Sequence, residues 1–239
     1  ILGGGRRFET QFGTFIAPNI SPDPKAGIGS WSALDFVNAV TKGVSPDGAH
    51  YYPAFPYTSY RQAKITDILD LKAYMDTLPP VADPAPENEV GFPFNIRRGL
   101  GLWKMLFMDQ APFEDEPSQT PQVNRGAYLV KALGHCAQCH TPRNLLGAAD
   151  NTRALAGAPN PEGKGFIPNI TPHPDGIGSW SEQDIAYALE TGFTPEFDSL
   201  GGSMVAVVEN TSQLTTQDRE AIAAYLKSVS PLPKTGPES

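Results

Sequence analysis

Apolar residues recur at helical spacing in five stretches of the chain. In Asn124–Cys136, NRGAYLVKALGHC, residues Tyr128, Leu129, Ala132 and Leu133 share one face, which predicts a helix whose last turn delivers Cys136. In TTQDREAIAAYLKSV, Thr215 stands three residues before Asp218 as in a capping box, and Ile222, Tyr225, Leu226 and Val229 form one apolar stripe. SEQDIAYALETG predicts a shorter helix with Ser181 as its N-cap. SALDFVNAVTKG and ITDILDLKAYMDTL supply two matching helices earlier in the chain. No pair of alternating stretches joined by hairpin turn residues is evident, so the expected class is all-α.

The helical stretches match because the chain repeats itself. PNISPDPKAGIGSWS, from Pro18, and PNITPHPDGIGSWS, from Pro168, are identical at 11 of 15 positions with one gap. The register continues through Asp35 and Asp184, Ala39 and Ala188, Gly43 and Gly192, and Pro46 and Pro195. LKAYMDTLPP then aligns with IAAYLKSVSP. A repeat on this scale marks a duplicated domain. The expected division is residues 1–81, a linker over 82–120, and residues 121–239. The linker contains GFPFNIRRGLGLWKMLF, too apolar for a free tether, and is expected to pack between the copies.

Composition narrows the partners. The 24 prolines and 23 glycines require long ordered loops. A net charge of −8 disfavours nucleic acid, whose phosphates need a basic face. No apolar run reaches the roughly 18 residues that span a bilayer, and no signal peptide is recognised. The chain opens ILGGGRRF without an initiator Met, which reads as an internal start.

The chemistry concentrates in GHCAQCHTPRN, which holds the chain's 2 cysteines. A disulfide across so short a loop stabilises little. Zinc wants four ligands, usually in two separated pairs, and no second pair exists. A thioredoxin-type motif follows a strand, and here a helix precedes it. Cys136-x-x-Cys139-His140 is the attachment pattern of haem c: two thioethers hold one porphyrin edge, and His140 reaches the iron. The sixth ligand must come from the far side of the ring. Met204, the lone methionine of the second copy, stands in a loop among glycines before the final helix and is the candidate. A His/Met pair raises the haem potential and closes the iron, which suits electron transfer. Pro142, Arg143, Asn169 and Trp180 are candidates around the ligands: Arg143, Asn169 and Trp180 for haem propionates, Pro142 beside the histidine. His135 and His173 are expected at the surface without a role.

RGAYLVKALGHCAQCHTPRN, PNITPHPDGIGSWS and DREAIAAYL together resemble the bacterial periplasmic di-haem cytochromes c, including the cytochrome c subunits of alcohol, gluconate and related dehydrogenases. The resemblance extends over GVSPDGAHYYPAFPYTSY and YMDTLPPV, essentially the whole chain. It implies two tandem class I-like cytochrome c domains, each with its own haem c. It further implies a donor dehydrogenase of quinoprotein, flavoprotein or molybdenum type, a downstream electron acceptor, and a periplasmic location, soluble or peripheral to the membrane.

Two departures stand out. The first copy has no CxxCH. Aligning ILGGG with ALAGA puts residue 1 about fourteen residues past the expected haem histidine, so a second haem is expected only in a longer protein. And Phe55 aligns with Met204, so the first copy lacks that ligand, with His50 the nearest alternative. The rivals to a pure electron carrier are a di-haem redox enzyme, peroxidase-like or thiosulfate dehydrogenase-like, and a haem-less first copy that serves for docking. A thiosulfate dehydrogenase would need a further cysteine as distal ligand. Catalysis by the chain itself is not expected.

Overall fold

The computed structural model describes residues 2–109, 111–160 and 165–235. The described residues divide into two compact units, one within residues 2–112 and the other within residues 113–160 and 165–235.

The first unit opens with a hairpin that the sequence reading did not anticipate. Strand β1 (Arg7–Thr10) pairs antiparallel with β2 (Gly13–Ile16), placing Phe8 opposite Phe15, and β3 (Glu89–Val90) adds to the other edge of β2. The turn carries no Asn-Gly signature. Instead the Thr10 hydroxyl donates to the Gly13 carbonyl and accepts from the Phe12 N–H, while Gly13 takes a φ of 126°. The all-α expectation therefore gives way to a helical unit with a small sheet on its N-terminal arm.

Helix α1 (Ala33–Lys42) begins at a full capping box between Ser32 and Asp35 and ends at Gly43 in the left-handed conformation. Helices α2 (Tyr57–Tyr60) and α3 (Ile65–Met75) follow, and Phe36, Val40, Tyr57, Ile68 and Met75 are buried. The segment after α3 folds back on this unit. Asn88 accepts from the Ile16 N–H, the Tyr52 hydroxyl donates to the Phe94 carbonyl, and α4 (Gly99–Phe107) sends Lys104 to the C-terminal carbonyls of α1.

The second unit is built on α5 (Pro121–Tyr128), which starts with Pro121 at its first position and the Thr120 hydroxyl capping Val123. The expected single helix into Cys136 is interrupted. Residues Leu129–Leu133 are π-helical, closed by a 2.6 Å bond from Gly134 N–H to the Leu129 carbonyl. The widened turn releases the chain into α6 (Ala137–His140). Two short strands, β4 (Ala158–Pro159) and β5 (Phe166–Ile167), pair antiparallel. Helices α7 (Glu182–Thr191), α8 (Met204–Thr211) and α9 (Thr216–Ser228) complete the unit, with Ser181 and Thr215 as side-chain N-caps.

The core joins Leu129, Val130, Leu155, Ile177, Ile185, Ile222, Ala223 and Leu226. Helix α5 crosses α9 at Gly126, where a Cβ would lie 1.8 Å from the Ala221 carbonyl oxygen, so only glycine permits this approach. Arg219 of α9 is buried and donates to the carbonyls of Thr211, Ser212 and Leu214, pairing also with Glu190 at 2.9 Å.

Both units share one loop frame. The Asn19 amide donates to the Val81 carbonyl at 2.7 Å and its oxygen accepts from Ser21 N–H; the Asn169 amide donates to the Leu232 carbonyl at 2.7 Å and its oxygen accepts from Thr171 N–H. The bond from Ile20 N–H to the Leu2 carbonyl repeats as Ile170 N–H to Leu155, both at 2.9 Å.

Candidate haem site

Cys136, Cys139 and His140 sit on one turn. His140 N–H donates to the Cys136 carbonyl at 3.0 Å, Cys136 is half-buried, and Cys139 is exposed. His135, just before them, adopts a φ of 40°, an uncommon value for a residue with a side chain, and turns the chain from the π-helical stretch into α6. His135 and His173 are both partly buried rather than at the open surface, and His173 Nδ1 lies 3.3 Å from Asp175.

His140 is buried at 6% exposure, and its Nδ1 lies 2.7 Å from the Pro168 carbonyl oxygen. That acceptor fixes Nδ1 as the protonated nitrogen and leaves Nε2 with its lone pair. Nε2 makes no hydrogen bond among the described residues. Burial lowers the imidazole pKa, against the opposing pull of the Pro168 carbonyl, so the ring is held neutral, as iron ligation requires. The backbone is gripped too: Gly157 N–H donates to the His140 carbonyl at 2.8 Å. Desolvation pushes the Cys136 thiol up to about 11. Among the described residues no three His, Cys, Asp or Glu side chains converge on a metal-sized site, so a bare tetrahedral ion has no ligand set here. Two cysteines one turn apart, beside a histidine with one nitrogen locked and one open, do fit haem c.

The residues expected around the ligands divide by role. Arg143 donates to the Gly147 carbonyl at 2.8 Å and to both the backbone and the side-chain oxygen of Gln138 at 2.9 and 2.7 Å. Gln138 lies between the two cysteines, so Arg143 braces the attachment turn. The Pro142 carbonyl accepts from Asp150 N–H at 2.8 Å, closing the loop behind it. Asn169, expected at a propionate, is 2% exposed, and its carboxamide is committed to Leu232 and Thr171; its role here is to tie the loop to the chain beyond α9. Trp180 is half-buried against the same core cluster that Cys136 and Ala137 pack on, and its carbonyl accepts from Lys227 at 2.8 Å. Met204 is half-buried and is the first residue of α8 rather than part of a loop, following the Gly201–Gly202 turn.

Sequence reasoning missed three contributors. Pro168 supplies the carbonyl that orients His140, Gly157 holds its backbone, and the buried Thr141 hydroxyl accepts from Leu155 N–H at 3.0 Å. Pro168 was legible as the first residue of the repeated motif; the other two carried no local signal.

The first unit reproduces much of this frame. Gly4, at φ 79°, stands where Gly157, at φ 87°, grips His140, and Pro18 stands where Pro168 accepts from it. In the turn after the Gly43 and Gly192 helix ends, the bonds Ser45 N–H to Ala49, Tyr51 N–H to Gly43 and Phe55 N–H to Tyr52 repeat as Thr194 to Asp198, Leu200 to Gly192 and Met204 to Gly201. Phe55 thus holds the backbone place of Met204. His50 does not stand in for it. Its Nδ1 is 3.1 Å from Lys104 Nζ, and Nε2 backs onto α4, where a Cβ at Gly101 would lie 3.0 Å away. Burial, with the charges of Lys104 and Arg97, lowers its pKa.

A site of this geometry defines a c-type cytochrome, and the cytochrome c family profile matches residues 123–230. The chain is 55% identical to a dihaem cytochrome c-type protein of Cereibacter sphaeroides over 96% of its own length and 76% of that protein. It is 39% identical to the fructose dehydrogenase cytochrome subunit of Gluconobacter japonicus, covering 95% of this chain and 47% of that subunit. It is 38% identical to the gluconate 2-dehydrogenase cytochrome c subunit of Pantoea cypripedii, covering 95% of this chain and 54% of that subunit. The chain belongs to the dihaem c-type cytochromes. It spans about half the length of these two dehydrogenase subunits. Among the described residues no helix is long and apolar enough to cross a membrane.

Proposed function

We propose that this chain is the haem-bearing part of a periplasmic electron-transfer cytochrome. It takes single electrons from a dehydrogenase and passes them to a downstream respiratory acceptor. In the second unit Cys136 and Cys139 would hold a haem through thioethers, and His140 and Met204 would be the side chains that ligate its iron. The observation that carries this reading is the His140 ring, buried and locked by Pro168 with Nε2 open, one turn from both cysteines. The haem supplies a one-electron redox centre. The chain's residues hold the histidine neutral and oriented, brace the attachment turn through Arg143, and surround the site with the apolar core. Because they are fixed before the electron arrives, little reorganisation accompanies transfer.

The first unit, in this reading, is a second domain of the cytochrome c type. The duplicated Asn19 and Asn169 frame, and the placement of Gly4 and Pro18, support it. The names of the relatives support a dehydrogenase donor.

Intact mass and a pyridine haemochrome spectrum test the reading, on this chain and on the full gene product, after expression with the haem-attachment machinery. One haem here and two in the full product are expected. Met204→Ala should turn the second-unit haem from low to high spin while mass shows it still attached. No haem on this chain, or an unchanged spin state in the variant, would overturn the assignment of the ligands.

A further inference from the structure

The turns that follow α1 and α7 are copies of one another, with one exchange that the fold does not ask for. Ser45-Pro46-Asp47-Gly48-Ala49 and Thr194-Pro195-Glu196-Phe197-Asp198 close the same bonds. Gly48 N–H donates to the Ser45 carbonyl at 2.9 Å, and Phe197 N–H to the Thr194 carbonyl at 3.0 Å. The fourth residue of this turn takes a positive φ, 83° at Gly48 and 62° at Phe197. Glycine reaches that region freely, whereas a residue with a Cβ is strained there. The Phe197 ring recovers nothing by packing, since it is 93% exposed and makes no ring contact among the described residues. Phe193, bridged to Ser199 at the foot of the same turn, is also exposed, at 49%. A strained backbone that holds an aromatic ring in water finds no compensation inside the folded chain, and such outliers gather where a surface binds something.

The surrounding charge says what kind of surface would cover the ring. Residues 182–218 contain seven acidic side chains and no Lys or Arg. Glu190 pairs with Arg219 and Asp218 with Arg125, while Asp184 closes the cap of α7. Glu196 and Asp198, on either side of Phe197, are exposed and in no ion pair among the described residues. An anionic membrane or a second copy of this acidic chain would be repelled by them; a protein surface rimmed by Lys and Arg would be attracted.

We propose that the turn Thr194–Asp198 is the docking anchor for a basic protein partner in electron transfer. Phe197 enters an apolar pocket of that partner, and Glu196 and Asp198 meet its Lys and Arg rim. The turn leads through Gly201 and Gly202 into Met204, so the partner is seated on the segment that delivers the proposed iron ligand. The inference deepens the electron-transfer reading of the second unit and rests on it. An exposed aromatic with a charged rim divides the work: the rim speeds encounter, and the ring holds the complex.

The test uses haem-loaded protein, reduced with dithionite and freed of excess reductant. It is mixed in a stopped-flow instrument with oxidised mitochondrial cytochrome c, a strongly basic one-electron acceptor. One electron leaves this protein and one ferric haem of the probe is reduced. The wild-type second-order rate constant should fall at least about tenfold between 10 and 200 mM ionic strength. Phe197→Gly should slow transfer at least about fivefold at both salt concentrations, with the haem spectrum unchanged and the urea midpoint equal to wild type or higher. Glu196→Lys should slow it at low salt only, its curve meeting that of the wild type at high salt. A rate that ignores salt or rises with it, an unchanged rate in Phe197→Gly, or a lowered urea midpoint in that variant overturns the inference while the haem reading stands. Protein without a low-spin haem after expression with the attachment machinery overturns the reading beneath it as well.

Discussion

The Nδ1 of His140 and the carbonyl oxygen of Pro168 are 2.7 Å apart across 28 residues of sequence. This contact decides which imidazole nitrogen carries the proton and which keeps its lone pair. It joins the CxxCH turn to the first residue of the repeated loop, so the loop's position and the histidine's orientation are one structural fact. Gly157 completes the grip, and its φ of 87° and the 2.7 Å from a Cβ to the Ile167 carbonyl oxygen exclude other residues. Gly157→Ala should destabilise the second unit by about 1–3 kcal/mol. A fall in the urea midpoint with unchanged slope is the expected record; an unchanged midpoint would remove Gly157 from the site's support.

Gly126 tests the helix crossing. Alanine in a helix interior is worth about 1 kcal/mol over glycine by propensity alone. Here the added Cβ would meet the Ala221 carbonyl oxygen at 1.8 Å, and backbone cannot move aside cheaply. Overpacking costs of about 1–3 kcal/mol or more therefore outweigh propensity. Gly126→Ala should lower the stability of haem-loaded protein in a urea titration; a rise would mean that α5 and α9 separate freely.

The same two helices are joined by Arg125 and Asp218, with Nε and Nη2 at 2.8 and 3.0 Å from the carboxylate oxygens. The Arg125 guanidinium, by hydrogen bonding first and charge second, holds the Asp218 carboxyl below the usual range, against a desolvation effect that raises it. A depressed carboxylate contributes stability that is fully present above its unfolded pKa of about 3.9 and lost as pH falls through the folded value. The pair is partly exposed, so about 0.2–1 kcal/mol is expected. The stability difference between wild type and Arg125→Met should be constant above about pH 5 and shrink towards zero on acidification below about pH 4. A difference that grows on acidification contradicts the linkage.

Lys104 behaves in the opposite sense. Burial, reinforced by the positive charge of Arg97, pushes its amine down to about 8. The unfolded chain titrates this group near 10.4. Between those values the unfolded state binds more protons, so stability rises with pH; below about pH 8 both states are charged and the burial cost is fully present. Lys104→Met should flatten that alkaline rise, read as the wild-type minus variant stability between pH 7.5 and pH 10. Parallel curves would show that Nζ is not desolvated where it meets the carbonyls of Lys42 and Gly43.

Much of this protein was written in local pattern. The attachment turn, the duplication, and the helix starts at Ser181 and Thr215 depend on residues within a few positions of each other, and short-range chemistry decides such features whatever the rest of the chain does. The hairpin at Arg7–Ile16 escaped because a threonine hydroxyl closes its turn, and the π-helical stretch escaped because Leu129–Leu133 has the same apolar spacing as an ordinary helix. Other assignments needed the folded chain because they turn on contacts between distant residues. Asn169 reads equally well as a propionate ligand or a loop tie until Leu232 is found beside it. His50 reads as a spare iron ligand until α4 brings Lys104 against its Nδ1. Sequence spacing determined which side chains could reach a haem; only the tertiary structure decided which of them still have a lone pair or a proton to offer, because burial and long-range hydrogen bonds had already committed the rest.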